Sequence, residues 1–242
     1  MARVPSPESR VPRTNPNQPG PSRTSELPNS RLRYHLPIKF DLTPDHPVTD
    51  AECKKQTGKT LEQWFAWIDE KWPEWPKRRV VVYTIYEEEC KDIWWATTIG
   101  VEYERHIDVK KKDGLYEGYS ICSTKTFNTP MSKVYDAWTK MDQMKKWMDD
   151  AGGKMSEGDT VTSGGKRKYE VLRLRKDKDL RFDFHDPEFS AVTRIDVMLE
   201  DKGKGKSGIN VHHKRLQTRE EADGSRKTWA EAMTRLKKLI EG

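Results

Sequence analysis

The chain has 242 residues, of which 33% are hydrophobic and 35% are charged, and its formal net charge is +6. Its mean hydropathy of −0.98 is low for a chain that is globular throughout, so we expect one part of it not to fold. No apolar run approaches the roughly 18 residues that a membrane span needs, which excludes a transmembrane helix.

The three cysteines are Cys53, Cys90 and Cys122, and they show no CxxC spacing. We therefore expect neither a disulfide framework nor a zinc site, and a reducing, cytoplasmic compartment fits this pattern.

Lysine and arginine number 45 against 39 acidic residues. This small, scattered excess indicates a slightly basic surface rather than a specific nucleic-acid site.

Residues 1–46 form a proline-rich tail. Residues 1–47 contain ten of the fourteen prolines, and the run "VPRTNPNQPGPSRTSELPNSR" is polar and without aromatic residues. Such a segment cannot bury enough apolar area to offset its ordering entropy, which predicts disorder. Its end, "RLRYHLPIKFDL", is more apolar and is a candidate for packing on the folded part. A transit peptide, suggested by the arginine and serine content, is disfavoured by the prolines.

Residues 47–114 are predicted to form a small helical domain. Thr60 and Gln63 stand at the spacing of a capping box. An apolar stripe follows at i, i+3, i+4 and i+7, which predicts a helix that ends at Pro73 and Pro76. The next stretch, "RVVVYTIYEEEC", fits a strand or a short helix equally well, and "DIWWATTIGVEYERHIDV" has helical spacing. The stripe of the first helix consists of Leu61, Trp64, Phe65 and Ile68.

Residues 115–242 begin with the alternating strand "GYSICSTKTF". Thr129 is then a candidate N-cap, with Pro130 at the first helical position. One apolar stripe predicts a continuous helix that Gly152 and Gly153 terminate. This stripe consists of Val134, Ala137, Trp138, Met141, Met144 and Met148.

Several strands and a long helix follow. "RKYEVLRLR" alternates with a slip at Val171 and Leu172, which predicts a β-bulge. "DLRFDFHD", "AVTRIDVMLE" and "GINVHHKRL" also alternate, and a glycine-containing turn separates the last two. The end, "SRKTWAEAMTRLKKLIEG", is strongly amphipathic. Runs of strands bracketed by helices indicate an α+β fold, in which the terminal helix covers one face of an antiparallel sheet.

The stretch "KTFNTPMSKVYDAWTKMDQMKKWM" resembles the opening of the activator-of-heat-shock-protein-90-ATPase homologue domains, which belong to the START-like helix-grip (SRPBCC) superfamily. The shared pattern is a strand, an Asn-x-Pro break and a Val-aromatic-x-Ala-Trp helix, at Asn128, Pro130, Val134, Ala137 and Trp138. The resemblance covers about residues 118–241. Family members usually have Asp-Pro after the first Trp-Thr pair, where this chain has Lys-Met. The preceding segment is similar to a helical domain of unknown function found before such domains in bacterial proteins.

The resemblance implies a helix-grip fold, a curved antiparallel sheet wrapped around a long C-terminal helix with a cavity between them. Members of the superfamily bind lipids, hormones and polyketides, and some are cyclases, while the heat-shock activator branch acts as co-chaperones. The first hypothesis is therefore a non-enzymatic binding module for a hydrophobic small molecule or lipid. The alternatives are a co-chaperone-like domain acting on a heat-shock ATPase, with the basic tail and helical module as docking elements, and a cyclase-type enzyme.

A helix-grip cavity is mostly apolar with a few polar anchors. Tyr169, His185 and His213 are candidate anchors, although exposed or internally bonded histidines fit as well. No catalytic set is apparent, and we expect no metal and no cofactor, because His212 and His213 point to opposite faces of a strand. The predicted ligand-binding residues, for which ordinary core packing is the alternative, are Trp138, Tyr169, Phe182, Phe184, Met198, Trp229 and Met233.

Overall fold

The computed structural model describes residues 38–242. Of the predicted disordered tail, residues 1–37 lie outside this part. Residues 38–46 are described, and there Ile38 and Phe40 are buried. The end of the predicted tail is therefore packed, as its apolar residues suggested. No helix in the described part is long and apolar enough to cross a membrane.

The first folded segment is helical, with its own hydrophobic cluster. The Thr60–Gln63 capping box is present, and Trp64 and Ile68 of the predicted stripe are fully buried. The ambiguous stretch is helical and ends in a π-helical turn, Ile85–Cys90. The helices are α1 (Asp50–Thr57), α2 (Leu61–Lys71), α3 (Arg78–Thr84) and α4 (Ile93–His106). The division into separate domains at residue 115 stays a prediction.

Seven antiparallel strands form one curved sheet in the order β1-β7-β6-β5-β4-β3-β2. The predicted bulge is confirmed, because the register of β4 against β5 shifts between Val171 and Arg173. The strands are β1 (Tyr119–Phe127), β2 (Gly152–Gly153), β3 (Thr160–Ser163), β4 (Arg167–Arg175), β5 (Asp179–His185), β6 (Thr193–Gly203) and β7 (Lys206–Leu216).

The predicted continuous helix after β1 is wrong, because the chain breaks at Lys140, whose backbone is extended. Helix α5 is Met131–Thr139 and helix α6 is Met141–Met144. The break folds the chain back, so that the Trp147 indole N–H donates to the Ala137 carbonyl at 2.8 Å. Thr129 does not cap α5, since its hydroxyl has no hydrogen-bond partner among the described residues.

Helix α7 (Arg219–Glu241) packs across β1 and the inner face of the sheet. It begins six residues earlier than predicted, with a capping box between Thr218 and Glu221. Between the sheet and helices α5–α7 lies the larger hydrophobic cluster. The α+β helix-grip architecture predicted from the sequence is thus confirmed.

Candidate ligand site

Six of the seven predicted ligand-binding residues lie together in the interior between the sheet and α7. Trp138 is in contact with both layers, with its ring centroid 6.0 Å from that of Trp229 and 6.4 Å from that of Phe182. The Tyr169 and Phe184 rings are 4.8 Å apart. The six are all at most 4% exposed, and they are Trp138, Tyr169, Phe182, Phe184, Trp229 and Met233.

Met198 is not part of this interior, and placing it there was wrong. It is 43% exposed, while Ile195 and Val197 on the same strand are fully buried. Successive side chains on a strand point to opposite faces, so these two residues place Met198 on the outer face of β6. Its pairing partners there are Asp179 and Asn210.

His213 is the polar centre of the interior. The Trp229 indole N–H donates to its Nδ1 at 3.2 Å, so its proton is on Nε2, which lies 2.7 Å from the Thr193 hydroxyl oxygen. Complete burial lowers the pKa of His213 from 6.5 to about 3. His213 is therefore neutral and bonded at both ring nitrogens. The other proposed histidine anchor, His185, lies near Glu170 at 3.2 Å and is partly exposed.

The cavity left in this interior measures only about 10 Å³. That is close to the volume needed for one water molecule and far below the roughly 300 Å³ of a small-molecule pocket. Tyr169 and Trp229 line it from the sheet and from α7, and Ile38 and Phe40 line it from the segment before α1. The space between sheet and helix is therefore filled by side chains.

Residues 38–45, here called the strap, close this interior. Their burial alternates, with Ile38 and Phe40 buried and Lys39 and Asp41 exposed, as in an extended strand. The strap belongs to no strand of the sheet. The Phe40 ring lies 5.0 Å from Phe189 and 5.6 Å from Phe184, between centroids. An apolar side chain from outside the framework of strands and helices thus occupies the aromatic interior.

Side chains hold the strap by its backbone. The Ile38 N–H donates to Asp149 Oδ2, and the Ile38 carbonyl accepts from Arg167 Nη1. The Lys39 carbonyl accepts from the Thr228 hydroxyl at 3.2 Å. Farther along, the Asp45 N–H donates to Asp223 Oδ2 at 2.9 Å.

The two groups that bind Ile38 are themselves fixed by ion pairs. Arg235 lies 3.3 Å from Asp149, and Asp186 lies 2.9 Å from Arg167. Burial raises the pKa of the Asp149 carboxyl, and the neighbouring guanidinium groups of Arg235 and Arg167 oppose this. Outside the strap lies a surface cleft of about 330 Å³ that shares Ile38 and Arg167 with the interior cavity.

A buried ion pair within the first turns of α7 is the centre of a cluster that joins α7 to α4. Arg219 lies 3.0 Å from Asp223, and their side chains are 1% and 0% exposed. Arg219 also donates to the Thr98 hydroxyl at 2.6 Å, and its guanidinium lies 4.7 Å from the Trp94 ring centroid. The Trp94 indole N–H completes the cluster by donating to Asp223 Oδ1 at 2.9 Å.

Sequence reasoning missed the strap contacts and this cluster. Asp149, Arg167 and Arg219 lie in polar stretches, where charged residues are normally solvated. The available signal for the strap was its alternation Ile-Lys-Phe-Asp-Leu at residues 38–42. For the cluster it was the i, i+4 spacing of Arg219 and Asp223, which places both on one helical face.

The long antiparallel sheet closed by a C-terminal helix defines a START-like helix-grip domain. Residues 128–241 match the model of the family described as "Activator of Hsp90 ATPase homolog 1-like protein". This part of the chain is therefore similar to an AHSA1-like domain, as the sequence resemblance implied.

Several solved structures are similar to part of the chain. CalU16 from Micromonospora echinospora is 17% identical with a TM-score of 0.46, over 50% of this chain and 75% of CalU16. The Aha1 dimer from Colwellia psychrerythraea is 24% identical with a TM-score of 0.46, over 51% and 96% of the two chains. PFC0360w, an HSP90 activator from Plasmodium falciparum, is 12% identical with a TM-score of 0.39, over 41% and 74%. A search of the curated proteins found no match.

Proposed function

We propose that the helix-grip domain is a non-enzymatic binding module for a hydrophobic small molecule or lipid, held between the sheet and α7. The observation that carries this proposal is the position of Phe40, packed among Phe184, Phe189 and His213. This interior already accepts one apolar group from a segment outside the sheet and helices. Because the remaining cavity is about 10 Å³, the ligand takes the place of strap side chains rather than an empty space.

The predicted residues keep their proposed role in this arrangement. Three of them would contact the ligand directly. Tyr169 and Trp229 line the cavity together with the strap, and Phe184 packs on Phe40. Trp138, Phe182 and Met233 lie deeper in the same cluster and would form the floor.

Native mass spectrometry of the full chain, with and without added dodecanoic acid, tests the proposal. We expect retained or added ligand mass, and a larger bound fraction for Phe40→Ala, which removes the ring from the site. Met198→Ala is the matched control, because it removes an apolar side chain from the outer face. The proposal fails if folded Phe40→Ala protein carries no ligand mass at any fatty-acid concentration tested.

The match to the Hsp90-activator-like family favours a second candidate, a co-chaperone-like domain acting on a heat-shock ATPase. The basic tail and the helices α1–α4 are its proposed docking elements. A pull-down with a heat-shock ATPase followed by an ATPase assay tests this candidate. Absence of binding at low salt would end it, because a charge-driven contact is strongest there.

A cyclase-type enzyme has less support, because both ring nitrogens of His213 are already engaged by Trp229 and Thr193. A cytoplasmic location is part of the proposal. The support for this location is that three cysteines are free thiols, as is usual in a reducing compartment: Cys53, Cys90 and Cys122. Cell fractionation with an antibody against the chain tests it.

A further inference from the structure

We infer that the site under the strap recognises an acylated apolar amino-acid unit, –NH–CHR–CO–, of which Ile38 is the built-in example. This inference rests on the proposed function and names its ligand class. Two sources supply the chemistry, an extended peptide and an N-acyl amino acid.

The polar half of the recognition comes from Asp149 and Arg167. Asp149 accepts the N–H of Ile38, and Arg167 donates to the carbonyl of the same residue. One acceptor and one donor thus lie on either side of a single apolar side chain. A plain hydrocarbon or a sterol has no such N–H and C=O pair. An N-acyl amino acid has the N–H and, in place of the carbonyl, a carboxylate, which guanidinium groups bind strongly.

This polar pair does not depend on the strap for its position. The Asp149 and Arg167 side chains are 13% and 12% exposed and are paired with Arg235 and Asp186. The backbone carbonyl of Asp149 also accepts from the Ser163 hydroxyl at 2.9 Å. With the strap displaced, the carboxylate and the guanidinium would remain in place, each with a free hydrogen-bonding position. Such preorganised groups lower the ordering cost of binding.

The apolar half of the recognition follows from the burial of two strap side chains. Ile38 and Phe40 are 6% and 4% exposed, and exposed Lys39 lies between them. The spacing apolar–any–apolar is that of an extended peptide whose alternate side chains enter pockets. Arg167 contributes again here, since its guanidinium lies 4.8 Å from the Phe40 ring centroid. For a lipid, the acyl chain would take the place of one apolar side chain.

Gly224 offers a way to displace the strap without removing its side chains. A Cβ at this position of α7 would lie 2.5 Å from the Asp41 carbonyl oxygen. Glycine inside a helix costs up to about 1 kcal/mol relative to alanine, so Gly224→Ala strengthens the helix while it pushes the strap away. Ser225→Ala is the matched control, because it adds the same residue to the next helical position.

The experiment measures fluorescence anisotropy of a labelled N-acetyl-Ile-Lys-Phe-amide peptide with the full chain. Intramolecular competitors act at millimolar effective concentration, so we expect at least about tenfold tighter binding to Gly224→Ala than to wild type. Ser225→Ala should behave as wild type. Methylation of the Ile nitrogen removes the donor and should weaken binding to Gly224→Ala at least about tenfold, since hydrogen bonds to charged groups are the stronger ones.

A double-mutant cycle measures how the effect of peptide methylation on binding depends on Asp149, and general destabilisation of the protein does not change this difference. In Gly224→Ala/Asp149→Ala protein the methylated and unmethylated peptides should bind equally, because the acceptor is gone. N-dodecanoyl-isoleucine competes with the peptide in the same assay, and its affinity relative to the peptide shows which of the two sources the site binds more tightly.

Three outcomes separate the two proposals. If dodecanoic acid binds Gly224→Ala but methylation of the peptide changes nothing, the amide inference is overturned and the binding module stands. If folded Gly224→Ala binds neither peptide nor fatty acid, the amide inference is overturned, and if folded Phe40→Ala also carries no ligand mass, the binding module is overturned with it. If Asp149→Ala leaves the tenfold methylation effect intact, Asp149 is not the acceptor and the assignment is wrong.

Discussion

Lowering the pH should destabilise the protein through His213. This residue is completely buried and its pKa is lowered to about 3, against 6.5 for the ordinary side chain. Below pH 6.5 this side chain therefore binds a proton in the unfolded chain but not in the folded chain. Stability is fully present above pH 6.5 and is lost as the pH falls from there toward 3.

The magnitude follows from the unfolded-state pKa of 6.5, because the folded protein binds almost no proton at this site at pH 5. Because pH 5.0 lies 1.5 units below this pKa, protonation of the histidine stabilises the unfolded chain by about 2 kcal/mol at that pH. At pH 7.5 this stabilisation of the unfolded chain is close to zero. The folded-state pKa enters this difference only weakly, provided that it lies below 4.

Urea unfolding at pH 7.5 and 5.0, followed by tryptophan fluorescence, measures the difference for wild type and for His213→Gln. The glutamine is neutral at both pH values and can bond to Trp229 and Thr193. The wild type should lose about 2 kcal/mol more than the variant over this interval. Equal losses, within about 0.5 kcal/mol, would refute the assignment of His213 as a neutral buried group, whatever the stability of the variant at pH 7.5.

Two further predictions concern charge and thiols. Arg219→Met should cost about 3 kcal/mol in urea unfolding, because it removes the fully buried cation that pairs with the buried Asp223 carboxylate. Lys111→Met, whose side chain is 51% exposed and pairs with Glu117 on the surface, should cost at most about 1 kcal/mol, and a cost equal to that of Arg219→Met would contradict the buried-pair argument. Native-state labelling with a disulfide reagent should modify exposed Cys122 first, while Cys53 reacts only on unfolding, because burial raises its pKa to about 11. Labelling of Cys53 at the rate of Cys122 would be inconsistent with this packing.

Local periodicity predicted much of the fold. Alternation located the long strands, their inward residues and the bulge near Val171, since one face of the sheet is buried throughout. The helical stripe after β1 predicted one continuous helix, which is wrong. The helix breaks at Lys140, and the break lets Trp147 pack on Trp138. A local pattern carries no information on that contact. The apolar character of Met198 favours a buried position, but the alternation of its own strand places it on the outer face.

The parts of the site that sequence could not predict depend on long-range partners. Ile38 is held by Asp149, which is 111 positions away, and Arg219 by Thr98, which is 121 positions away. No local pattern encodes such a contact. A polar residue in a loop is normally solvated, so only the folded chain reveals which ones are buried and paired.

The Arg219 cluster has a practical consequence for how this protein can be divided. Trp94, Trp95 and Thr98 surround the guanidinium from α4, and the remaining members belong to α7. A fragment beginning at residue 115 would retain the arginine and its aspartate but lose both indole rings and the hydroxyl, which would leave the guanidinium exposed to water. Expressed alone, such a fragment would be less stable than the same residues in the whole chain, so truncation at the apparent boundary removes part of the fold and not merely an appendage.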